Sequence, residues 1–289
     1  MGKFERVYKA SPLWLQNMMV SLYGAYWHWA RFGGHYQTLK KGYQDRENYD
    51  RDDWNHYQAQ ELRKLLSICV NEVPYYQENW SEADKAAAIV GDLSALPLLE
   101  KGHLRQSPDR FHRQNDHPFP RFIFHTSGTT GTPIATTYTL SELRSTMALR
   151  EVRSANWAGV SFTQPRGTFS GRMVEPDSEI PQAVYRFNSV EKQVYFSAFH
   201  INPANAISYV KALKKHRVVW LTGYTVSIFL LARFILEQNL VVPGLKAIIT
   251  TSEKLSEEMR QVIEKAYHCP VFEEYSTVEN ALFASECDH

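Results

Sequence analysis

After residue 192 the chain alternates short apolar, β-branched runs with amphipathic helical periods, and this alternation restricts the fold more than any other feature. Strands are expected at 193–199, 217–221, 245–250 and 270–274, with helices at 203–216, 226–238 and 257–267 between them. The last helix has the clearest pattern: Ser256 stands at its N-cap, Glu257 and Glu258 occupy the first turn, and Met259, Val262, Ile263 and Ala266 share a face. Strand–helix–strand alternation of this kind predicts an α/β fold with a largely parallel sheet flanked by helices. A sheet covered on both faces needs a large core, and 289 residues with 44% hydrophobic and 22% charged content can supply one. The formal net charge of +1 gives no case for nucleic acid as a partner.

Upstream, the sequence reads as a helical N-terminal region, 1–120, packing on an α/β core, 121–289. The apolar, aromatic run 13–32 is interrupted by Gln16, Asn17, Ser21 and His28. It predicts a helix docked on the protein's own core, in preference to a membrane-surface contact or a span. Residues 36–53, polar and aromatic, read as a loop. A packing helix follows at 54–71, ended by Val73-Pro74-Tyr75-Tyr76. Residues 107–120 read as loop, and 141–156 as a helix with Ser141 as its N-cap. Within 157–191 no strands can be placed.

Between two strand-like runs, 121–125 and 134–139, lies Thr126-Ser127-Gly128-Thr129-Thr130-Gly131-Thr132-Pro133. Two glycines allow main-chain N–H groups to converge, and the hydroxyls add donors, which suits an anion such as phosphate. It is not a Walker-type loop, because no Lys-Ser/Thr pair and no helix follow the last glycine. A hairpin is expected instead. In open α/β sheets ligands sit beyond the carboxyl ends of the strands. Those ends carry Gly223-Tyr224, Thr250-Thr251-Ser252-Glu253 and Tyr275-Ser276-Thr277-Val278-Glu279. Their hydroxyls, carboxylates and rings are expected to meet at one edge as a nucleotide site.

These three motifs, in this order, resemble the adenylate-forming superfamily and within it the phenylacetate–CoA ligase and CapK-like branch. The 126–133 stretch is similar to the phosphate loop, 250–253 to the adenine-side segment, and 275–279 to the Y-G-x-T-E motif. Val73–Tyr76, Leu96–Lys101, Gly171-Arg172 and Phe196–His200 also match the branch. The resemblance implies ATP-dependent conversion of a small-molecule carboxylate into an acyl adenylate, followed by transfer to a thiol such as CoA. It further implies that Thr126, Ser127, Gly128, Thr129, Thr130 and Gly131 hold the β- and γ-phosphates. Ser252, Glu253, Tyr275 and Ser276 would border the adenine and α-phosphate. Glu279 would hold Mg²⁺, with Thr277 and His200 as further catalytic candidates and Tyr224 beside the acyl pocket.

The sequence departs from the family pattern at Ile134, where many members have Lys, and at Ser276 and Val278, where Gly and Thr are expected. The family's ribose-binding Asp, hinge and Lys-bearing final domain would follow residue 289. The expectation is therefore an N-terminal portion of an adenylating enzyme, inactive or nearly so in isolation. The alternative is a non-catalytic nucleotide-binding or scaffold protein of the CapK type in polysaccharide biosynthesis. Cys69, Cys269 and Cys287 lie far apart, which fits a reducing cytoplasm, while Cys269, Cys287 and His289 are candidates for a small structural metal site.

Overall fold

The run near the N-terminus forms helix α1 (Leu13–Phe32), and the polar stretch after it is helical too, as α2 (Tyr36–Asp45). The expected loop at 36–53 is thus corrected. Tyr36, Leu39 and Tyr43 recur at helical spacing and pack against Met147 and Ala148, so spacing outweighs the segment's polarity. The polar interruptions of α1 dock it. Gln16 accepts from Arg186 Nε at 2.6 Å, Asn17 Oδ1 from the Phe187 amide at 2.8 Å, and Ser21 Oγ from the Ser189 amide at 3.1 Å. Arg186 and Phe187 belong to an edge strand, where the outward Phe187 amide finds its acceptor in α1, and Ser189 follows that strand. Gly24 permits the approach, because a Cβ there would lie 2.2 Å from Asn188 Nδ2. No helix among the described residues is long and apolar enough to cross a membrane.

The computed structural model describes residues 7–8, 10–114, 119–126, 133–171, 174, 183–280 and 282–287. It divides into two compact units, 1–43 with 143–289, and 44–142. The N-terminal helices α1 and α2 therefore group largely with the sheet, whereas the sequence reading placed them in a region ending at 120. Hydrogen bonds from α1 to the sheet's edge strand are the physical reason.

The 44–142 unit is built from α3 (Arg51–Glu72), α4 (Pro74–Asn79), α5 (Glu82–Val90), α6 (Lys101–Gln106) and a hairpin. Reciprocal side-chain bonds close the N-termini of α3, through Asp50 and Asp53, and of α5, through Ser81 and Asp84. Pro74 ends α3 as expected and also opens α4, since a proline at the first helical position sacrifices no intrahelical bond. Leu66, Trp80 and Ala88 form the unit's small core. Strands β1 (Phe122–His125) and β2 (Ala135–Tyr138) pair antiparallel, with Phe122 opposite Tyr138, as the hairpin expectation required.

Helix α7 (Leu140–Arg150) is capped by Thr139, not Ser141. Thr139 Oγ1 accepts from the Glu142 amide at 3.2 Å, and Glu142 accepts from the Thr139 amide at 2.7 Å. Thr139 and Glu142 have the three-residue spacing that a reciprocal cap needs, which Ser141 lacks.

The sheet contains β3 (Arg166–Ser170), β4 (Tyr185–Asn188), β5 (Gln193–Ser197), β6 (Trp220–Tyr224), β7 (Ala247–Thr251), β8 (Val271–Ser276) and β9 (Phe283–Ser285). Its order is β4-β5-β3-β6-β7-β8-β9, parallel except at the two edge strands β4 and β9. The α/β expectation is met. One strand is displaced: the run expected at 217–221 becomes extended only at Trp220, because Arg217 closes the preceding helix with φ at +49°.

Alternate residues face opposite sides of the sheet. On one side Phe169, Val194, Leu221, Ile248 and Val271 meet α8 (Ala206–Lys215), α9 (Thr225–Glu237) and α10 (Glu257–Tyr267) in the main core. On the other, Trp220, Ala247 and Ile249 pack with Met147, Ala148 and Phe162. This second side is not apolar throughout.

Candidate functional site

Across β5, β3 and β6 the register aligns Gln193 with Arg166 and Trp220, then Tyr195 with Thr168 and Thr222. These two rows lie on the α7 side of the sheet, and most of their members at β5 and β3 are polar where a packed face calls for apolar groups. The polar atoms are tied in sequence. Arg166 donates to Glu191 Oε2 and to Gln193 Oε1, each at 2.8 Å, and to the Phe162 carbonyl at 2.7 Å. Gln193 Nε2 in turn donates to Thr168 Oγ1 at 2.7 Å. Burial pulls the Arg166 guanidinium below the usual arginine range, and the Glu191 carboxylate opposes that pull. Above this floor lies a cavity of about 230 Å³, with Arg31 of α1 and Arg150 of α7 in its walls and Tyr224 and Ser252 toward the strand ends.

A second cavity, of about 310 Å³, is lined by Ser252, Glu253, Tyr275 and Ser276 together with Lys254, Glu273 and Glu274. All four of the residues expected at the adenine side are thus brought together, from the ends of β7 and β8. Ser252 belongs to both cavities. The ion pair of Arg150 Nη2 with Glu274 Oε2, 2.6 Å long, joins a wall residue of the first to one of the second. Other carboxylates here have structural duties: Glu253 Oε2 accepts from the Val226 amide at 2.8 Å at the start of α9, and Glu273 Oε1 from the Leu255 amide at 2.8 Å. Tyr275 is 63% exposed. Gly223, at φ +131°, lets β6 approach β3, since a Cβ there would fall 1.8 Å from the Phe169 carbonyl oxygen.

The remaining candidates lie elsewhere. Thr126 closes the base of the hairpin, its amide donating to the Ile134 carbonyl at 3.0 Å and its Oγ1 accepting from the Ile134 amide at 2.9 Å. Ser127, Gly128, Thr129, Thr130 and Gly131 fall outside the described residues. Thr277 and Glu279 are in the turn joining β8 to β9, where the Asn280 amide bonds the Thr277 carbonyl at 3.0 Å and Asn280 Nδ2 reaches Thr146 Oγ1 at 2.9 Å. Neither is among the residues lining the two cavities, nor is His200. The His200 ring bonds Ser197 Oγ at 2.7 Å and its carbonyl accepts from Asn205 Nδ2 at 2.9 Å, ahead of α8. Cys269 is buried and Cys287 exposed, His289 lies outside the described residues, and no group of three or more metal-ligating side chains occurs among the described residues. Sequence reasoning missed Arg31, Arg150, Arg166, Thr168 and Gln193. The available signal was alternation in Arg166-Gly167-Thr168-Phe169-Ser170, a strand with one wholly polar face inside a segment that read as irregular.

No known protein-family profile matches the chain. The chain is 26% identical over 283 residues to Protein CapK of Staphylococcus aureus, a match covering 97% of this chain and 61% of CapK. Among solved structures, 2-hydroxyisobutyryl-CoA ligase in the postadenylation state with R3-HIB-AMP gives a TM-score of 0.55 at 18% identity, over 78% of this chain and 49% of that one. The same ligase with 2-HIB-AMP and CoA in the thioesterification state gives 0.55 at 17%, over 83% and 52%. The chain thus spans 61% of its curated relative and about half of the ligase. The resemblance read from the motifs holds: the chain is a homologue of CapK and has the fold of the adenylate-forming CoA ligases.

Proposed function

We propose that this CapK homologue with a CoA-ligase fold binds ATP at the carboxyl edge of its sheet and takes part in activating a carboxylic acid as its acyl adenylate. The observation that supports this best is the convergence of Ser252, Glu253, Tyr275 and Ser276 on one cavity that shares Ser252 with a second. Two adjoining cavities suit a reaction that joins a nucleotide to an acid. The exposed Tyr275 ring in this cavity suits a purine, which offers a π face, and Lys254 in the same wall adds a cation. The Ser127–Gly131 loop is assigned the β- and γ-phosphates.

In the proposed reaction a carboxylate oxygen of the acid attacks the α-phosphorus, the bond from that phosphorus to the bridging oxygen breaks, and pyrophosphate leaves. A thiol such as CoA then attacks the acyl carbon and AMP departs. Catalysis of this kind rests on alignment and on neutralising phosphate charge, so fixed donors matter more than a general base. By the resemblance, Glu279 would hold Mg²⁺. Magnesium commonly takes one or two protein carboxylates and completes its shell with phosphate oxygens and water, so an exposed carboxylate in a turn is an adequate donor. When bound, the ion would offset charge on the phosphates. Arg150, through Glu274, would hold the partition between the acid and nucleotide sides.

Calorimetric titration with MgATP and acid-dependent exchange of labelled pyrophosphate into ATP test the reading. Binding in the micromolar to millimolar range, weakened at least tenfold by Tyr275→Ala, is expected. Absence of ATP binding would sink the proposal. ATP binding without exchange over a broad acid panel would favour the alternative of a nucleotide-binding protein without ligase chemistry.

A further inference from the structure

Helix α1 meets the rest of the protein with its polar side and turns large apolar side chains outward. Trp14 and Leu22 are each 67% exposed, and Met18, Tyr26 and Trp29 between 40% and 49%. At 3.6 residues per turn these five fall within an arc of about 120°, along a helix about 30 Å long. Gln16, Asn17, Ser21 and Gly24, which dock α1 on β4, occupy the other side. A surface helix ordinarily has the reverse arrangement. The five side chains expose several hundred Å² along one stripe, a size that marks an interaction surface. The rings of Tyr26 and Trp29 lie 6.0 Å apart, so the stripe is continuous at its lower end.

Charge near the stripe points to what covers it. Helix α1 contains no Asp or Glu, and ahead of it the sequence carries Lys3, Arg6 and Lys9 against Glu5. Its last turns reach the amino edge of the sheet, where His28 and Arg31 stand 3.9 and 3.6 Å from Glu191. That edge is a hydrogen-bonded row. The Arg166 amide donates to the Lys192 carbonyl, the Val219 amide to the Pro165 carbonyl and the Lys246 amide to the Val219 carbonyl. Lys192 and Lys246 stand on the row, and Lys214, Lys215 and Arg217 come at the end of α8, just before β6. All five are exposed, and none has an ion pair among the described residues. Glu191, beside Lys192, is buried and held by Arg166 and Arg31, and Glu237 at the end of α9 is paired with Arg233. The stretch with Glu175, Asp177 and Glu179 lies outside the described residues and joins β4 at its start, whereas Lys192 follows that strand's end. His216, which stacks on Phe187 of β4 at 4.0 Å, ties the end of α8 to the strand that carries α1. The apolar stripe and the exposed cations thus flank one edge of the protein.

A second copy seated on the stripe would bring two such cationic edges together. A bilayer with anionic headgroups offsets them, and Trp and Tyr are the side chains that settle at its interface, ring toward the acyl boundary and polar tip among the headgroups. We propose that α1 is a membrane-contact helix: Trp14, Met18, Leu22, Tyr26 and Trp29 enter the interface of a bilayer containing anionic lipid, and the cations of the amino edge draw the protein to it. The contact is peripheral, because α1 keeps its polar bonds to β4. It lies on the β4 edge, five strands and about 24 Å across the sheet from β8 and its cavity, which stays open. This inference does not rest on the ligase reading.

Flotation of the full chain with vesicles of phosphatidylcholine, with and without phosphatidylglycerol, tests it. Binding to the mixed vesicles is expected to be at least ten-fold tighter than to phosphatidylcholine alone, and added salt should remove the difference. Trp14→Ser combined with Leu22→Ser should weaken binding at least ten-fold. Both side chains are mostly exposed, so the thermal unfolding midpoint should hold, which separates lost contact from lost fold. Lys214→Glu combined with Lys215→Glu should abolish the preference for anionic lipid. Absence of binding to the mixed vesicles overturns the proposal, as does equal binding to both vesicle types or unchanged binding after the Trp14 and Leu22 substitutions. A dimer in sedimentation velocity that those substitutions dissolve, without vesicle binding, assigns the face to a second copy and overturns it too.

Discussion

Breaking the Arg166–Glu191 pair should cost different amounts from its two ends. Both side chains are almost fully buried, at 3% and 1% exposure, and removing one member of a buried pair costs about 3–5 kcal/mol because the other charge stays behind. In Arg166→Met the carboxylate left behind still has Arg31 at 3.6 Å and His28 at 3.9 Å, which places the cost near the lower end, about 3 kcal/mol. In Glu191→Gln the Arg166 cation keeps only neutral acceptors, the Phe162 and Glu191 carbonyls and Gln193 Oε1. Arg31 would then face it with no carboxylate between them, so about 5 kcal/mol is expected. The double variant should fall short of the sum by about 2–3 kcal/mol, since neither charge is stranded. Urea unfolding followed by tryptophan fluorescence reads this out. Trp220 is fully buried and sits opposite Arg166 in the register, so it reports the local transition. Single variants within about 1 kcal/mol of wild type, or strict additivity, would refute the account of this network as a desolvated, mutually dependent set.

Three further outcomes are expected. Gly223→Ala should destabilise the sheet by about 3 kcal/mol or more, since the new Cβ would overlap the Phe169 carbonyl oxygen in a backbone conformation closed to alanine; thermal unfolding checks it. The ring of His216 stacks on Phe187 at 4.0 Å, and its Nε2 has no hydrogen-bond partner among the described residues; burial, helped by the Lys215 charge, holds its pKa below 6.5. The folded state therefore binds fewer protons than the unfolded one, so stability is full above about pH 6.5 and declines as pH falls below it. His216→Phe should flatten that decline in urea titrations between pH 7 and 5. In thiol labelling Cys287, which is exposed, should react first, whereas burial with Glu264 nearby pushes Cys269 up to about 12 and should protect it until the chain unfolds.

The parts of the fold legible in the sequence were those dictated by local physics. Helix α10 occupies the expected residues because its cap, its acidic first turn and its apolar face all point the same way. Strand β7 carries the apolar run Ala247-Ile248-Ile249, which a doubly covered sheet accommodates. The helix at 36–45 was not legible, because its apolar residues are few and polar neighbours mask their period. Strand β3 was not either: its polar face makes it look like a loop, and only its partners show that Arg166, Thr168 and Gln193 answer one another.

The candidate site divides along the same line. The sequence by itself determined the α/β class, the hairpin around the Gly/Thr stretch and the strand-end motifs, since these follow from backbone preferences and side-chain periodicity over a few residues. Tertiary structure alone decided that Lys254, Glu273 and Glu274 join Ser252, Glu253, Tyr275 and Ser276 around one cavity, and that Arg31, 135 residues before Arg166 in the chain, stands beside the same buried carboxylate. Charge balance in a desolvated pocket is a property of distances between elements, and no local pattern encodes those distances.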